Sequence, residues 1–339
     1  MSERPRTVFV CPGPDAYGPA WLGSLPPDHP AVHAAERIRV EYGLEPLRAL
    51  DGAAFDPNRH LRPANAAPLT FMVSLLDAER AEQDQKLVGV VGSAGGWHGA
   101  LAVAGALPFE DAFRLTQEVA LLREQAFAHD HGGQVIYPLL DGDWKPNADL
   151  RAALADILAD GGGQHTVFTS IELGGFAVLA GDEPAVAHLL ERLPSVAFSG
   201  RRFPMRLAMQ GPDHTPLAEE VAETAADRLS GLRWQQPHTT LIDGRGARWT
   251  PWSSDPDTLR DYTLGAQLTA PYRFATAVRV ALRELAPELV VAAGPRSSLA
   301  GILGQLVVEE GYRGVRSRGA FEAAQRSAAP IVLSMGHAA

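Results

Sequence analysis

The chain of 339 residues is 46% apolar and 21% charged and carries a formal net charge of −10. That length and composition describe a globular protein large enough for two domains, and the acidic balance argues against a nucleic-acid partner. No apolar run reaches the roughly 18 residues of a membrane span and none of signal-peptide length follows the first residues, so a cytoplasmic protein without a membrane partner is expected.

The first apolar run, Thr7-Val8-Phe9-Val10-Cys11, reads as a strand that ends at Pro12-Gly13. Cys11 is the single cysteine, which excludes an internal disulfide and a cysteine-based metal site. It reads as a small core residue, and no metal or tightly bound cofactor is expected. A helix follows over residues 30–42, then a polar, proline-rich loop over 51–63 and a helix over 66–82. Residues 86–91 form an apolar run of strand length, and residues 98–105 a buried helix.

Between that strand and that helix stands Gly92-Ser93-Ala94-Gly95-Gly96. A sharp strand-to-helix turn holds one residue strained and exposed, flanked by small residues two before and two after it. The next backbone N–H then faces the substrate oxyanion near the helix N-terminus. In the register G-x-S-x-G the nucleophile position is Ala94, with Gly92 and Gly96 as flanks and Gly95 as the following amide. The other register makes Ser93 the nucleophile and puts Val91 on the first flank, a poorer fit. Ordinary glycine-rich strand–helix turns also look like this, so the pattern alone leaves the question open.

A helix over residues 109–128 carries Glu110 and Asp111 in its first turn, which suits the helix dipole. The segment 131–209 has its own rhythm. It reads as a strand at 135–138, a helix at 149–158, a turn at Asp160-Gly161-Gly162-Gly163, and a hairpin of 167–171 with 176–180 around Gly174-Gly175. A helix at 183–193 and a last strand at 203–209 complete a β-α-β-β-α-β order, which is ferredoxin-like. The remainder reads as helices at 215–229, 257–268, 272–285 and 298–309 with a strand at 289–291. The expected fold is therefore α/β: a discontinuous large domain (1–130 and 210–339) with a parallel sheet, and an inserted ferredoxin-like domain (131–209).

These pieces in this order resemble the malonyl-CoA:acyl carrier protein transacylase family over nearly the whole chain. The helix from Ala100 to Ala112 is similar to the family's continuation after its elbow. Phe9-Val10-Cys11-Pro12-Gly13-Pro14-Asp15 stands at its F-P-G-Q-G loop, and Gly211-Pro212-Asp213-His214-Thr215 at its histidine segment. Gln267-Leu268-Thr269-Ala270-Pro271 matches its Q-L-x-x-P signature, and residues 290–299 with Gly294-Pro295 its closing E-x-G-P. The resemblance implies a hydrolase-like large domain and ping-pong transfer of an acyl group from a coenzyme A thioester, through a serine, to the thiol of acyl carrier protein. It implies that His214 is the base and then the acid, oriented by the backbone carbonyl of Gln267. An acidic carrier protein would need a basic patch, for which Arg201-Arg202 and the Arg313, Arg316, Arg318 cluster are candidates. The other histidines show no ligand spacing; His129 and His131 flank a loop, and His238 follows a proline.

The chain departs from the family pattern at four places. A gapless count puts the nucleophilic serine on Ala94, whose methyl group cannot attack a thioester. Pro14 replaces an oxyanion-hole donor and has no N–H; losing one such donor typically costs about 10²–10³ in rate. The arginine that grips the malonyl carboxylate falls on Val119, so malonyl selectivity should fall. Trp97 stands where many members have glutamate. The expectation is an acyltransferase inactive or weakened as written. The alternatives are a non-catalytic protein that binds an acyl group or a carrier protein, and an acyl-thioester hydrolase.

Overall fold

The computed structural model describes residues 4–127, 132–159, 166–294 and 298–335. The predicted turn at 160–163, together with His129, His131 and Pro295, lies outside them.

The chain opens with β1 (Arg6–Cys11) and passes through α1 (Pro30–Glu41), α2 (Leu47–Asp51), α3 (Pro57–His60) and α4 (Pro63–Asp84) to β2 (Lys86–Gly92). The loop expected over 51–63 contains α3. Asp56 caps α3, accepting from the Asn58 amide at 2.9 Å, and Pro57 presets its first turn. Next come α5 (Gly96–Val103) and α6 (Phe109–Ala126). α4, α5 and α6 pack on one another through Leu69, Met72, Leu101 and Phe113, all buried.

The following segment builds a separate sheet from β3 (Gly133–Pro138), β4 (Val167–Glu172) and β5 (Phe176–Gly181), with α7 (Ala148–Ala159) and α8 (Glu183–Arg192). β6 (Val196–Phe198) and β7 (Arg201–Phe203) form a hairpin of their own, and β8 (Met205–Arg206) pairs with β3. The single strand expected over 203–209 is thus divided. Pro204 has no N–H to continue a ladder, and the chain changes sheets there. The sheet order is β4-β5-β3-β8, antiparallel throughout.

The chain returns through α9 (Glu219–Arg228), β9 (Leu241–Ile242), β10 (Arg248–Trp249), α10 (Pro256–Leu264), α11 (Ala266–Thr269) and α12 (Phe274–Leu285). It ends with β11 (Leu289–Ala292), α13 (Leu299–Glu309), α14 (Arg318–Gln325) and β12 (Val332–Ser334). The helix expected over 257–268 breaks at Gly265, whose φ of −117° and ψ of −101° no helix contains. The helix expected from 215 begins with a 3₁₀ turn, Pro216–Ala218, before α9. The main sheet has the order β10-β9-β2-β1-β11-β12, parallel except at β10. β1 and β2 lie at its centre, and both end at the same edge, beside the Gly92–Gly96 turn. No helix among the described residues is long and apolar enough to cross a membrane.

Candidate active site at the end of the central strands

β2 ends on Gly92 and α5 begins on Gly96, leaving three residues to reverse the chain. The middle one, Ala94, has φ +51°, a left-handed conformation that costs a non-glycine residue about 1–3 kcal/mol. The flanks are glycine for a physical reason. A Cβ on Gly96 would collide with the carbonyls of Cys11 and Pro12, and one on Gly92 with the Trp97 backbone. The turn is closed by Ser93 N–H donating to Cys11 O (2.8 Å), Gly96 N–H to Ser93 O (2.8 Å) and Trp97 N–H to Ala94 O (3.0 Å). The strained position is therefore Ala94 and not Ser93, although Ser93 also borders the cleft. The Gly95 amide has no acceptor among the described residues and sits at the N-terminus of α5. The Pro14 ring lies against it, with Cδ only 3.0 Å from where a Cβ on Gly95 would stand.

His214 reaches the same cleft from the segment before α9, also with positive φ (+56°). Its amide donates to Leu268 O at 3.0 Å. Its Nδ1 lies 2.7 Å from the Gln267 backbone carbonyl, which fixes the tautomer with the proton on Nδ1 and leaves Nε2 as an acceptor. Burial holds the imidazole below its usual pKa, opposed by nearby Asp213 and the Gln267 carbonyl. The Gln267 side chain turns the other way and donates from Nε2 to Ala94 O at 3.1 Å. The break at Gly265 allows this reach, since α11 runs apart from α10. Tyr272 adds a third brace: its hydroxyl donates to Gly92 O at 2.7 Å, and its ring lies 5.4 Å from that of His214.

The cleft has a volume of about 280 Å³ and is lined by Gly13, Pro14, Asp15, Ser93, Ala94, Gly95 and His214 on the main-sheet side. Across it stand residues of β3, β4, β5 and α13. Arg123 of α6 also faces it, in a buried ion pair with Asp213 and with Nη2 at 3.0 Å from Gln210 Oε1. Arg123, Leu207 and Gln210 also border a second hollow of about 410 Å³. Val119, one turn earlier on α6, is buried and lies outside the cleft wall. It borders a void of about 20 Å³ behind Gly95. His98, Arg123 and Gln267 border the same void, and His98 Nε2, Arg123 Nε and Gln267 Oε1 are buried without a partner. Among the described residues no cluster of His, Cys, Asp or Glu could hold a metal ion.

Of the basic candidates, Arg201 lies on the cleft rim, whereas Arg313 and Arg318 are engaged elsewhere, with Glu288 O and Glu322. Trp97 is fully buried and donates to Thr263 Oγ1 at 2.9 Å, so it belongs to the support of the elbow and not to the cleft. Sequence reading missed Arg123, Asp213 as its partner, and Tyr272. The first two are a cation and an anion 90 positions apart, which no local pattern connects. Tyr272 stands next to the Q-L-x-x-P segment and could have been found there.

No family model matches the sequence, and no curated relative does. Solved structures do resemble the fold. An acyl carrier protein S-malonyltransferase from Vibrio cholerae superposes with a TM-score of 0.72 at 19% identity, covering 98% of this chain and 97% of that one. The malonyl-CoA:acyl carrier protein transacylase of Xanthomonas oryzae gives 0.71 at 23% identity, covering 90% and 92%. A malonyl-transacylase in complex with its type II polyketide acyl carrier protein gives 0.72 at 19% identity, covering 89% and 93%. The fold is thus that of the malonyl-CoA:acyl carrier protein transacylases.

Proposed function

We propose that this chain is an acyltransferase-type protein that holds acyl thioesters of coenzyme A and of acyl carrier protein at the Ala94 elbow, and that its reactive hydroxyl is absent. The observation that carries this reading is the elbow itself. A non-glycine residue is kept at φ +51° between an unengaged Gly95 amide and a histidine whose Nδ1 is held by the Gln267 carbonyl. This is the arrangement a serine nucleophile needs: a strained turn at the cleft, a base and an oxyanion donor. The four-stranded sheet with α7 and α8 supports the ferredoxin-like, inserted reading of residues 131–209. The parallel main sheet with its elbow supports the hydrolase-like one. The neighbour bound to a carrier protein supports such a protein as partner.

With serine at 94, His214 Nε2 would take the hydroxyl proton as the oxygen attacked the thioester. The coenzyme A thiol would leave with that proton, and the carrier thiol would later reverse the step. With alanine no acyl–enzyme bond forms, and the thioester is held intact. The test is the intact mass of the Ala94→Ser protein after brief incubation with acyl-CoAs. A mass increase equal to one acyl group is expected. Its absence with every thioester tested refutes the reading. Ser93→Ala in the Ala94→Ser background should leave the adduct in place; loss of the adduct would assign the chemistry to Ser93.

A second reading, a non-catalytic binding homologue in which a serine at 94 would not restore turnover, is favoured by Pro14, which has no N–H to give an oxyanion. Restoring the hydroxyl at 94 leaves the Gly95 amide free among the described residues but returns no donor at position 14.

A further inference from the structure

Resting on the acyl-thioester reading above, we infer that the cleft selects an unsubstituted aliphatic acyl chain and rejects a carboxylate-bearing one such as malonyl. The antiparallel sheet of β3, β4, β5 and β8 has two apolar faces. Side chains alternate across a strand, and Val135, Tyr137, Ala177 and Leu179 form one face, packed in a core with α7 and α8. Their neighbours Ile136 and Val178 point the opposite way. With Ile171 and Leu173 they face the cleft, opposed by Leu299 and Ile302 of α13. Most of this face is packed in a core with Phe274, Leu299 and Leu303, and its margin, aliphatic apart from Gln134, walls the space that begins at Ala94.

The charged groups on the wall point to the same conclusion. A buried carboxylate needs a cation free to pair with it. Arg123 is already committed to Asp213. Arg201 is exposed on the rim, where water screens it. Asp15, whose pKa is raised by desolvation, lines the wall beside Gly13 and offers a second carboxylate no counter-charge. Among the described lining residues the one nearly buried cation, Arg123, has its charge matched by Asp213, although its Nε keeps no hydrogen-bond partner.

The protein as it stands is suited to the test because it cannot be acylated at Ala94. Calorimetric titration with acetyl-, butyryl-, hexanoyl-, octanoyl- and malonyl-CoA, and with the matching acyl-pantetheines, reads the preference directly. Affinity should rise by up to about fourfold per methylene until the cleft is full, and malonyl should bind more weakly than butyryl. Ile302→Glu should remove the chain-length dependence while acetyl binding persists. Val178→Thr, which keeps the shape of a buried side chain, should reduce the gain per methylene in a protein of unchanged far-UV circular dichroism. A flat chain-length series, or malonyl binding as tightly as hexanoyl, overturns this inference and leaves the acyl-thioester reading intact. Failure of every thioester to bind overturns both.

Discussion

The amide of Gln267 donates to the carbonyl of Ala94 across 3.1 Å, from a residue 173 positions away. The backbone carbonyl of the same glutamine holds His214. One residue thus braces the elbow and orients the base, while its own Oε1 stays buried without a partner among the described residues.

The left-handed backbone at Ala94 predicts that Ala94→Gly stabilises the protein by about 1 kcal/mol, since glycine adopts positive φ without steric cost. Chemical denaturation should show a raised midpoint with an unchanged slope. A lowered midpoint would mean that the methyl group's packing outweighs the strain.

Gly96→Ala has the opposite effect. Its Cβ would run into the carbonyls of Cys11, which ends the central strand, and of Pro12, which follows it. A loss of at least about 2–3 kcal/mol is expected. Gly18→Ala, at an extended glycine with open space around it, should stay within about 0.5 kcal/mol. Equal midpoints for the two variants would contradict the packing described for the elbow.

Arg123→Leu strands the Asp213 carboxylate, since both side chains are nearly buried. Breaking such a pair costs about 3–5 kcal/mol, and removing both charges costs much less. Arg123→Leu with Asp213→Asn should therefore recover most of the stability lost by Arg123→Leu alone, as read by thermal unfolding. Strict additivity of the two changes would show that the pair does not act as a pair.

His98 is buried on α5, and its pKa is pushed down to about 3, first by desolvation and then by Arg123 and His214. The unfolded chain protonates this imidazole near pH 6.5, the folded protein only near 3. The unfolded state thus binds the extra proton across that window, and stability falls as pH falls through it, by at most about 1.4 kcal/mol per pH unit. His214, also depressed, adds to the same slope. Denaturation midpoints at pH 7 and pH 5 should differ less in His98→Leu than in the parent. An equal difference would place the titrating group elsewhere.

Much of this was legible in sequence because the signals are local. The elbow strand is a continuous apolar run, Gly92 and Gly96 bracket the turn, and the hairpin over β4 and β5 announces itself by Gly174-Gly175. The matches to the Gln267 and His214 segments fell on residues that the fold brings into hydrogen-bond contact. What escaped is non-local or very short. β9 and β10 have two residues each, too few for a period to show; β9 forms on the edge of β2 and β10 on the edge of β9. The division of 203–209 depends on a proline that sends the chain from one sheet to another. Arg123 reads as an ordinary charge on a helix until Asp213 is placed beside it.

The backbone contact between β4 and the segment before α12 has a mechanical consequence. Tyr272 N–H donates to Ser170 O (2.8 Å) and Glu172 N–H to Tyr272 O (2.9 Å), so the smaller sheet is stitched to the residue whose hydroxyl holds Gly92 and whose ring flanks His214. The wall of the cleft, the Ala94 turn and the imidazole thus share one anchor, so a change at Tyr272 reaches all three together.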